Sequence, residues 1–343
     1  MNRISALGLV LVAGTLSGCA TTGAAAGPPL HELPGEIRGL ASADPDGDGV
    51  DALFALEAGG LFEVRLVDGR WQLEPRDTGV RRRDWHGLTA GDLDRDGRDQ
   101  LVLWSLRSQP WGLVLTGDGT SAQVRRTPVV LRVVVRDREA LLLGQEPGVE
   151  ADFRGPLRSY RVEADGVEES GVVERRPPRD VLHVFHGPAL DAEGDVAYSW
   201  DEDGLLERRE GAGVIWRGET VHTSSPLVVE RERQNLLGER RTEIQEIPTE
   251  PLLADLDGDG VDEVLTVASD RAPLGSLGRL RAFRGGCYRL LVAEGRGLAE
   301  RARSVLLGRF ATAVALYDVN GDGQREAVMS VVLRRRSGVS AGR

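Results

Sequence analysis

One short acidic pattern recurs four times in this chain of 343 residues and restricts its fold more than any other feature. The segments start at Asp44, Asp92, Asp255 and Asp318 and align without gaps as DPDGDGVDA, DLDRDGRDQ, DLDGDGVDE and DVNGDGQRE. Each is followed by an apolar run, such as LVLW at 101–104 or VLTV at 264–267. Each is preceded by small and apolar residues, as in HGLTAG at 86–91. Strand, acidic loop, strand is the unit these patterns predict.

Oxygen-bearing side chains at positions 1, 3 and 5 suit a hard cation, and a glycine at position 6 permits the reversal that turns them inward. The candidate ligands are Asp44, Asp46 and Asp48; Asp92, Asp94 and Asp96; Asp255, Asp257 and Asp259; and Asp318, Asn320 and Asp322. Position 7 adds a backbone carbonyl from Val50, Arg98, Val261 or Gln324. An EF-hand also opens this way but needs a bidentate Glu at position 12, where this chain has Ala55, Leu103, Thr266 and Met329. EF-hand and dockerin are therefore excluded. One such loop alone reads equally well as an Asp/Gly β-turn without metal. Four copies predict Ca2+ at up to four sites, because clustered like charges left unneutralised repel one another.

Asp92 follows Asp44 by 48 residues, Asp255 follows Asp92 by 163, and Asp318 follows Asp255 by 63. The long gap reads as three units in which two loops have worn away, with Asp137 to Glu139 and Asp191 to Asp195 as their remnants. A unit of several short strands every 40–60 residues or so is the sequence mark of a β-propeller. The loops and their flanking strands resemble the FG-GAP and VCBS repeats of integrin α-chain propellers and bacterial surface proteins. That resemblance implies an all-β propeller of six to seven blades over residues 36–336. In it, the loop joins the first two strands of a blade and holds one Ca2+. It also implies a carboxylate at position 9, which Glu263 and Glu326 supply while Gln100 and Ala52 depart from it. The third loop is thus expected to bind tightest and the first weakest, unless Asp51 or water substitutes. Because the chain ends soon after the fourth loop, the last blade is expected either to recruit the segment near Leu30 to Arg38 or to stay open.

The N-terminus carries Arg3, an apolar run and then small residues, which is the outline of a secretory signal peptide over 1–18. Leu16-Ser17-Gly18-Cys19 resembles a bacterial lipobox. This resemblance implies that Cys19 is lipidated and becomes the first mature residue. Ala20 after it, rather than Asp, implies the outer membrane. Residues 19–35 are small and Gly/Pro-rich and read as a tether, and 337–343 as a disordered tail. With only Cys19 and Cys287 in the chain, lipidation leaves no pair for an internal disulfide.

Composition removes several function classes. All 43 basic residues are Arg, so every mechanism built on a lysine is excluded. A net charge of -11 argues against nucleic acid as a partner. The lone G-x-S-x-G, at 338–342, has no helix after it, and H-E-x-x-H does not occur. His183 and His186 read as opposite faces of one strand, hence as core or surface histidines rather than a metal pair. The six Trp read as packing between blades, with sugar stacking as the alternative. No catalytic set emerges. The sequence favours a non-catalytic scaffold that binds a protein or glycan, with a carbohydrate-active enzyme on a propeller as the competing reading.

Overall fold

The computed structural model describes residues 7–11, 30–33, 37–57, 60–68, 70–78, 85–106, 112–116, 121–122, 129–136, 139–147, 153–163, 166–174, 180–186, 196–201, 205–210, 213–221, 228–234, 240–256, 261–271, 283–304 and 310–332. Every regular element among them is a β-strand. Two strands, β1 (Leu7–Leu11) and β2 (Leu30–Leu33), come first. The first four-stranded meander follows as β3 (Ile37–Ala43), β4 (Ala52–Glu57), β5 (Gly60–Val67) and β6 (Arg70–Arg76). The second is β7 (Gly87–Gly91), β8 (Gln100–Trp104), β9 (Gly112–Leu115) and β10 (Ser121–Ala122). The third is β11 (Val130–Arg136), β12 (Glu139–Pro147), β13 (Phe153–Glu163) and β14 (Gly166–Glu174). The fourth is β15 (Val184–His186), β16 (Val196–Trp200), β17 (Leu205–Glu210) and β18 (Gly213–Val221).

After a two-stranded pair, β19 (Val228–Gln234) with β20 (Arg240–Glu246), the fifth meander runs β21 (Leu252–Ala254), β22 (Glu263–Arg271), β23 (Phe283–Glu294) and β24 (Gly297–Arg303). The chain ends on β25 (Phe310–Tyr317) and β26 (Glu326–Val332), which share a sheet with the N-terminal strands in the order β2-β1-β26-β25. The architecture is a β-propeller. Among the described residues, five meanders of four consecutive strands form, fewer than the six to seven blades expected. Even spacing misled the count, because β19 and β20 remain a pair and the last sheet borrows from both chain ends.

Ring closure follows the expectation in part: Leu30–Leu33 joins the last sheet, but not directly against β26. It is β1, inside the segment read as a leader, that pairs antiparallel with β26, from Gly8 opposite Val331 to Leu11 opposite Val328. β2, inside the segment read as a tether, pairs with β1 instead. An unpaired β26 would offer a row of free N–H and C=O groups, and any extended segment within reach satisfies them.

The core lies between sheets rather than within one. Leu40, Leu53 and Val64 of the first meander pack on Ala313, Ala315 and Val328 of the last sheet. Phe54 and Leu56 meet Leu88, Leu101 and Leu113 of the second. Trp200 and Leu206 of the fourth meet Val264 and Leu291 of the fifth. The described tryptophans follow suit, with Trp71, Trp85, Trp104 and Trp200 all buried. Small residues permit the closest approaches. A Cβ on Gly286 of β23 would lie 2.3 Å from the backbone nitrogen of Ala311 on β25.

The third and fourth meanders lack complete acidic loops and are joined by buried polar groups instead. Arg132 donates through Nη1 to the carbonyl of Leu182 at 2.8 Å and through Nε to Glu250 at 2.9 Å. Gln145 accepts from the Val181 amide at 3.0 Å. Asp180 accepts from the Leu182 amide at 2.9 Å, and one of its carboxylate oxygens sits 2.5 Å from Nδ1 of His183. Residues 181–183 form a turn, not the strand expected there, because Asp180 ties that turn together. His183 is a buried core histidine.

The contact at Gly286 gives a direct check on the packing of sheets. Gly286→Ala is expected to destabilise the protein by roughly 1–3 kcal/mol through overpacking against backbone that cannot swing away. A urea midpoint unchanged from wild type would contradict the close approach.

Candidate metal centre

The inner strands β3, β7, β21 and β25 each lead straight into an acidic loop, and β4, β8, β22 and β26 leave it. All four loops therefore occupy the same place in the unit, between its first and second strands, as expected. The worn remnants fall at the same place, between β11 and β12 and between β15 and β16. Asp137 and residues 191–195 lie outside the described residues, as do Asp257, Asp259 and Cys19. Glu139 faces Arg95 of the second loop at 2.6 Å.

Three loops share one hydrogen-bond plan. The first carboxylate accepts through Oδ1 from the position-5 amide: Asp48 to Asp44 at 3.2 Å, Asp96 to Asp92 at 3.1 Å, and Asp322 to Asp318 at 3.1 Å. Through Oδ2 it accepts from the position-6 glycine: Gly49 at 2.8 Å, Gly97 at 3.1 Å and Gly323 at 2.7 Å. The position-5 carboxylate then accepts from the position-7 amide of Val50, Arg98 or Gln324 at 2.8, 2.9 and 2.8 Å. Backbone donors thus fix the position-1 and position-5 carboxylates in all three loops before any cation is considered. In the first loop, ligand oxygens of Asp44, Asp46 and Asp48 all lie within 4.8 Å of one another, and those of Asp92, Asp94 and Asp96 do so in the second. An all-oxygen set of this size fits a hard divalent ion such as Ca2+.

Carboxyl acidity follows the same geometry. Burial works against ionisation of Asp44, but the amides of Gly49, Gly47 and Asp48 outweigh it and hold the carboxyl below its ordinary range. Asp94 is pushed up, first by burial and then by the charge of Asp96, with the Gln100 amide opposing. Asp99 is raised as well, chiefly by burial.

Position 9 acts as a strut under the loop. Gln100, Glu263 and Glu326 are buried. Their side-chain oxygens accept from the position-2 amides of Leu93 at 2.6 Å, Leu256 at 2.8 Å and Val319 at 2.8 Å. Each strut also reaches position 3 in the second and fourth loops. Gln100 Nε2 donates to Asp94 at 3.0 Å, whereas Asn320 Nδ2 donates to Glu326 at 3.0 Å. Acid and amide have exchanged places, so each pair keeps a single negative charge. The Gln100 amide donates in addition to the Arg98 carbonyl at 2.8 Å. Ala52 leaves the first loop without a strut. Asp51, considered as its substitute, bonds instead to Ser42 at 3.1 Å and to Arg325 of the fourth loop at 2.7 Å.

Position 8, at which only Asp51 was considered and then as a ligand, instead links neighbouring loops. Asp99 accepts from the Asp44 amide at 2.9 Å while the Asp99 amide donates to the Asp44 carbonyl at 2.8 Å. Together with Arg325 and Asp51, this interlocks the fourth, first and second loops. The signal was present in the repeat, where position 8 is Asp in three copies of four and Arg in the last.

The fold and the loops define a class: a β-propeller with acidic loops on the face where its inner strands end. No family model matches the sequence, and no curated protein matches it. Among solved structures, BBS1N in complex with ARL6DN resembles the chain at a TM-score of 0.43 and 11% identity, over 96% of this chain and 98% of that one, in a mercury-soaked crystal. Its lead-soaked form gives a TM-score of 0.43 at 10% identity over 98% and 99%. The WD40 β-propeller domain of Doa1 gives 0.38 at 12% identity over 96% and 98%.

Position 4 offers a test of the loop backbone. Gly47 and Gly321 have φ of 72° and 75° there, whereas Arg95 adopts φ 62° with a side chain attached. Left-handed backbone costs a non-glycine residue about 1–2 kcal/mol, and the exposed Arg95–Glu139 pair returns at most about 1 kcal/mol. Arg95→Gly is expected to raise stability by up to about 1 kcal/mol in urea unfolding. A clear loss of stability would show that the ion pair, not the backbone, governs this loop.

Proposed function

We propose that this protein is a calcium-stabilised β-propeller of the FG-GAP/VCBS kind, lipid-anchored through Cys19 outside the cytoplasm at the outer membrane, acting as a non-catalytic scaffold for a protein partner. The observation that carries the calcium reading is the identical bonding of the first, second and fourth loops on one face of the fold. Two structural positions support a protein partner over a glycan. Val50 and Val261, both at position 7, are apolar and exposed on the loop face, Val50 to 68%. The described tryptophans, by contrast, are buried or half-buried and offer no open aromatic surface for a sugar ring. On this reading the mature chain lacks β1, and Leu30–Leu33 is the strand left to cover the edge of β26.

Calcium takes the part that disulfides play in other extracytoplasmic domains. At ~1 mM free Ca2+, a site with a dissociation constant of ~0.1 mM adds about 1.4 kcal/mol of stability. Several such sites together compare with a native disulfide, worth about 2–5 kcal/mol. The third loop, with acids at positions 1, 3, 5 and 9, carries the most negative charge and is expected to bind tightest. The first lacks its strut and is expected to bind most weakly.

Melting the protein with 1 mM Ca2+ and again with excess chelator is the deciding experiment. A higher melting temperature with calcium is expected, and coincident curves would end the calcium reading. The anchor is tested separately. Cys19→Ser is expected to abolish incorporation of labelled palmitate and to release the protein from the membrane fraction. A variant that remains labelled and membrane-bound would refute lipidation at Cys19.

A further inference from the structure

The fourth acidic loop differs from the others in one functional group. Its position 3 is an amide, Asn320, where the other loops carry Asp46, Asp94 and Asp257. The chain has three asparagines, and Asn320 alone is followed by glycine. A glycine after asparagine leaves the next backbone nitrogen without a side chain to shield it. Asn320 and Gly321 are both exposed, and no atom of the described residues lies within 4 Å of where a Cβ on Gly321 would stand. Solvent therefore reaches the pair.

The chemistry open to such a pair is deamidation. The Gly321 backbone nitrogen attacks Cγ of Asn320 and forms a new N–Cγ bond. The Cγ–Nδ2 bond breaks, and ammonia leaves with the proton given up by the attacking amide. Water then opens the cyclic imide at either carbonyl, which gives aspartate in one product and isoaspartate in the other. Water is the sole co-reactant, and nothing is oxidised or reduced.

The closed loop ties each group that the reaction needs. The Gly321 amide donates to Oδ1 of Asp318 at 2.7 Å. Asn320 accepts through Oδ1 from the Asp322 amide at 2.8 Å, and its Nδ2 donates to Oε1 of Glu326 at 3.0 Å. Cyclisation requires the Asn320 side chain to turn onto Gly321 and the Gly321 amide to lose its proton, so these bonds oppose it. Glu326 is itself anchored, being buried and accepting through Oε2 from the Val319 amide at 2.8 Å. In the second loop the amide of the pair is Gln100, which is buried and followed by Leu101. The exchange of acid and amide thus conserves charge but sets the fourth loop's amide in water beside an unshielded backbone nitrogen.

Conversion undoes that exchange. With aspartate at 320, two carboxylates face each other where a hydrogen bond of 3.0 Å stood, and like charges at that range repel. Isoaspartate routes the main chain through the former side chain and shifts the amides that hold Asp318. Arg325, next to the strut, ties this loop to Asp51 of the first, so the change reaches the seam between sheets.

We infer that Asn320 is a site of spontaneous deamidation, held in the amide form by Glu326 and Asp318 while the fourth loop is closed, and that conversion loosens the loop. The reaction involves no cation, so its test is run in chelator and stands apart from the calcium reading. The full-length protein in detergent is incubated at neutral pH, and peptide mass spectrometry follows amide-to-acid conversion at residue 320. Conversion is expected in unfolding concentrations of urea. The folded protein is expected to convert at least about tenfold more slowly, because the loop must first break hydrogen bonds to charged groups. Glu326→Gln keeps the size of the strut but removes an acceptor. It is expected to speed conversion of the folded protein about tenfold and to leave the rate in urea unchanged. If far-UV circular dichroism shows that this variant does not fold, Asp318→Ala, which frees the Gly321 amide, takes its place with the same expectation. Asn320→Asp makes one product directly and is expected to lower the urea midpoint in chelator. No conversion at 320 in urea, equal rates folded and unfolded, or a folded variant no faster than wild type would each overturn the guarded site. An unchanged midpoint for Asn320→Asp would overturn the loosening.

Discussion

Held carboxylates are the constraint on which the rest of this structure depends. In each fully described loop the first aspartate receives two or three backbone amides and the fifth-position acid receives one, so like charges are kept within a few ångströms of each other by the chain itself. Such an arrangement stores electrostatic repulsion between the carboxylates. It also fixes the direction of the strands on either side. A loop that closes in eight residues returns the chain antiparallel beside itself, and β3 with β4, β7 with β8 and β25 with β26 follow from it.

The loops are coupled around the face as well as closed on themselves. Asp99 and Asp44 exchange hydrogen bonds across two meanders, and Arg325 reaches Asp51 from the last sheet. The half of the ring without complete loops uses other chemistry at the matching seam, where Arg132, Gln145 and Asp180 bond to the 181–182 turn. Acidic loops on one side and a buried polar network on the other serve one purpose. Each ties a sheet to its neighbour where apolar packing alone leaves the seam undirected.

Part of this was legible in the repeat. The strand-loop-strand unit follows from local spacing, which the backbone obeys without reference to distant residues. Other features escaped. Evenly spaced repeats suggested too many blades, because sequence distance does not reveal that β19 and β20 stay a pair. The sequence did not show that Glu263 and Glu326 at position 9 also brace their loops by accepting from the position-2 amides. The exchange of acid and amide between Asp94 with Gln100 and Asn320 with Glu326 was visible in the letters, but only the hydrogen bonds give it meaning.

By itself the sequence determined that short strands alternate with acidic loops and that no lysine chemistry takes place, since both depend on residue type and near-neighbour spacing alone. Only the tertiary structure decided which strands close the ring, which loops touch, and that Arg38, His86, Thr249 and Thr312 line one cavity. Those relations join residues up to 274 positions apart along the chain, from Arg38 to Thr312. They exist because inner strands of common direction converge on one axis, a geometry that no local pattern encodes.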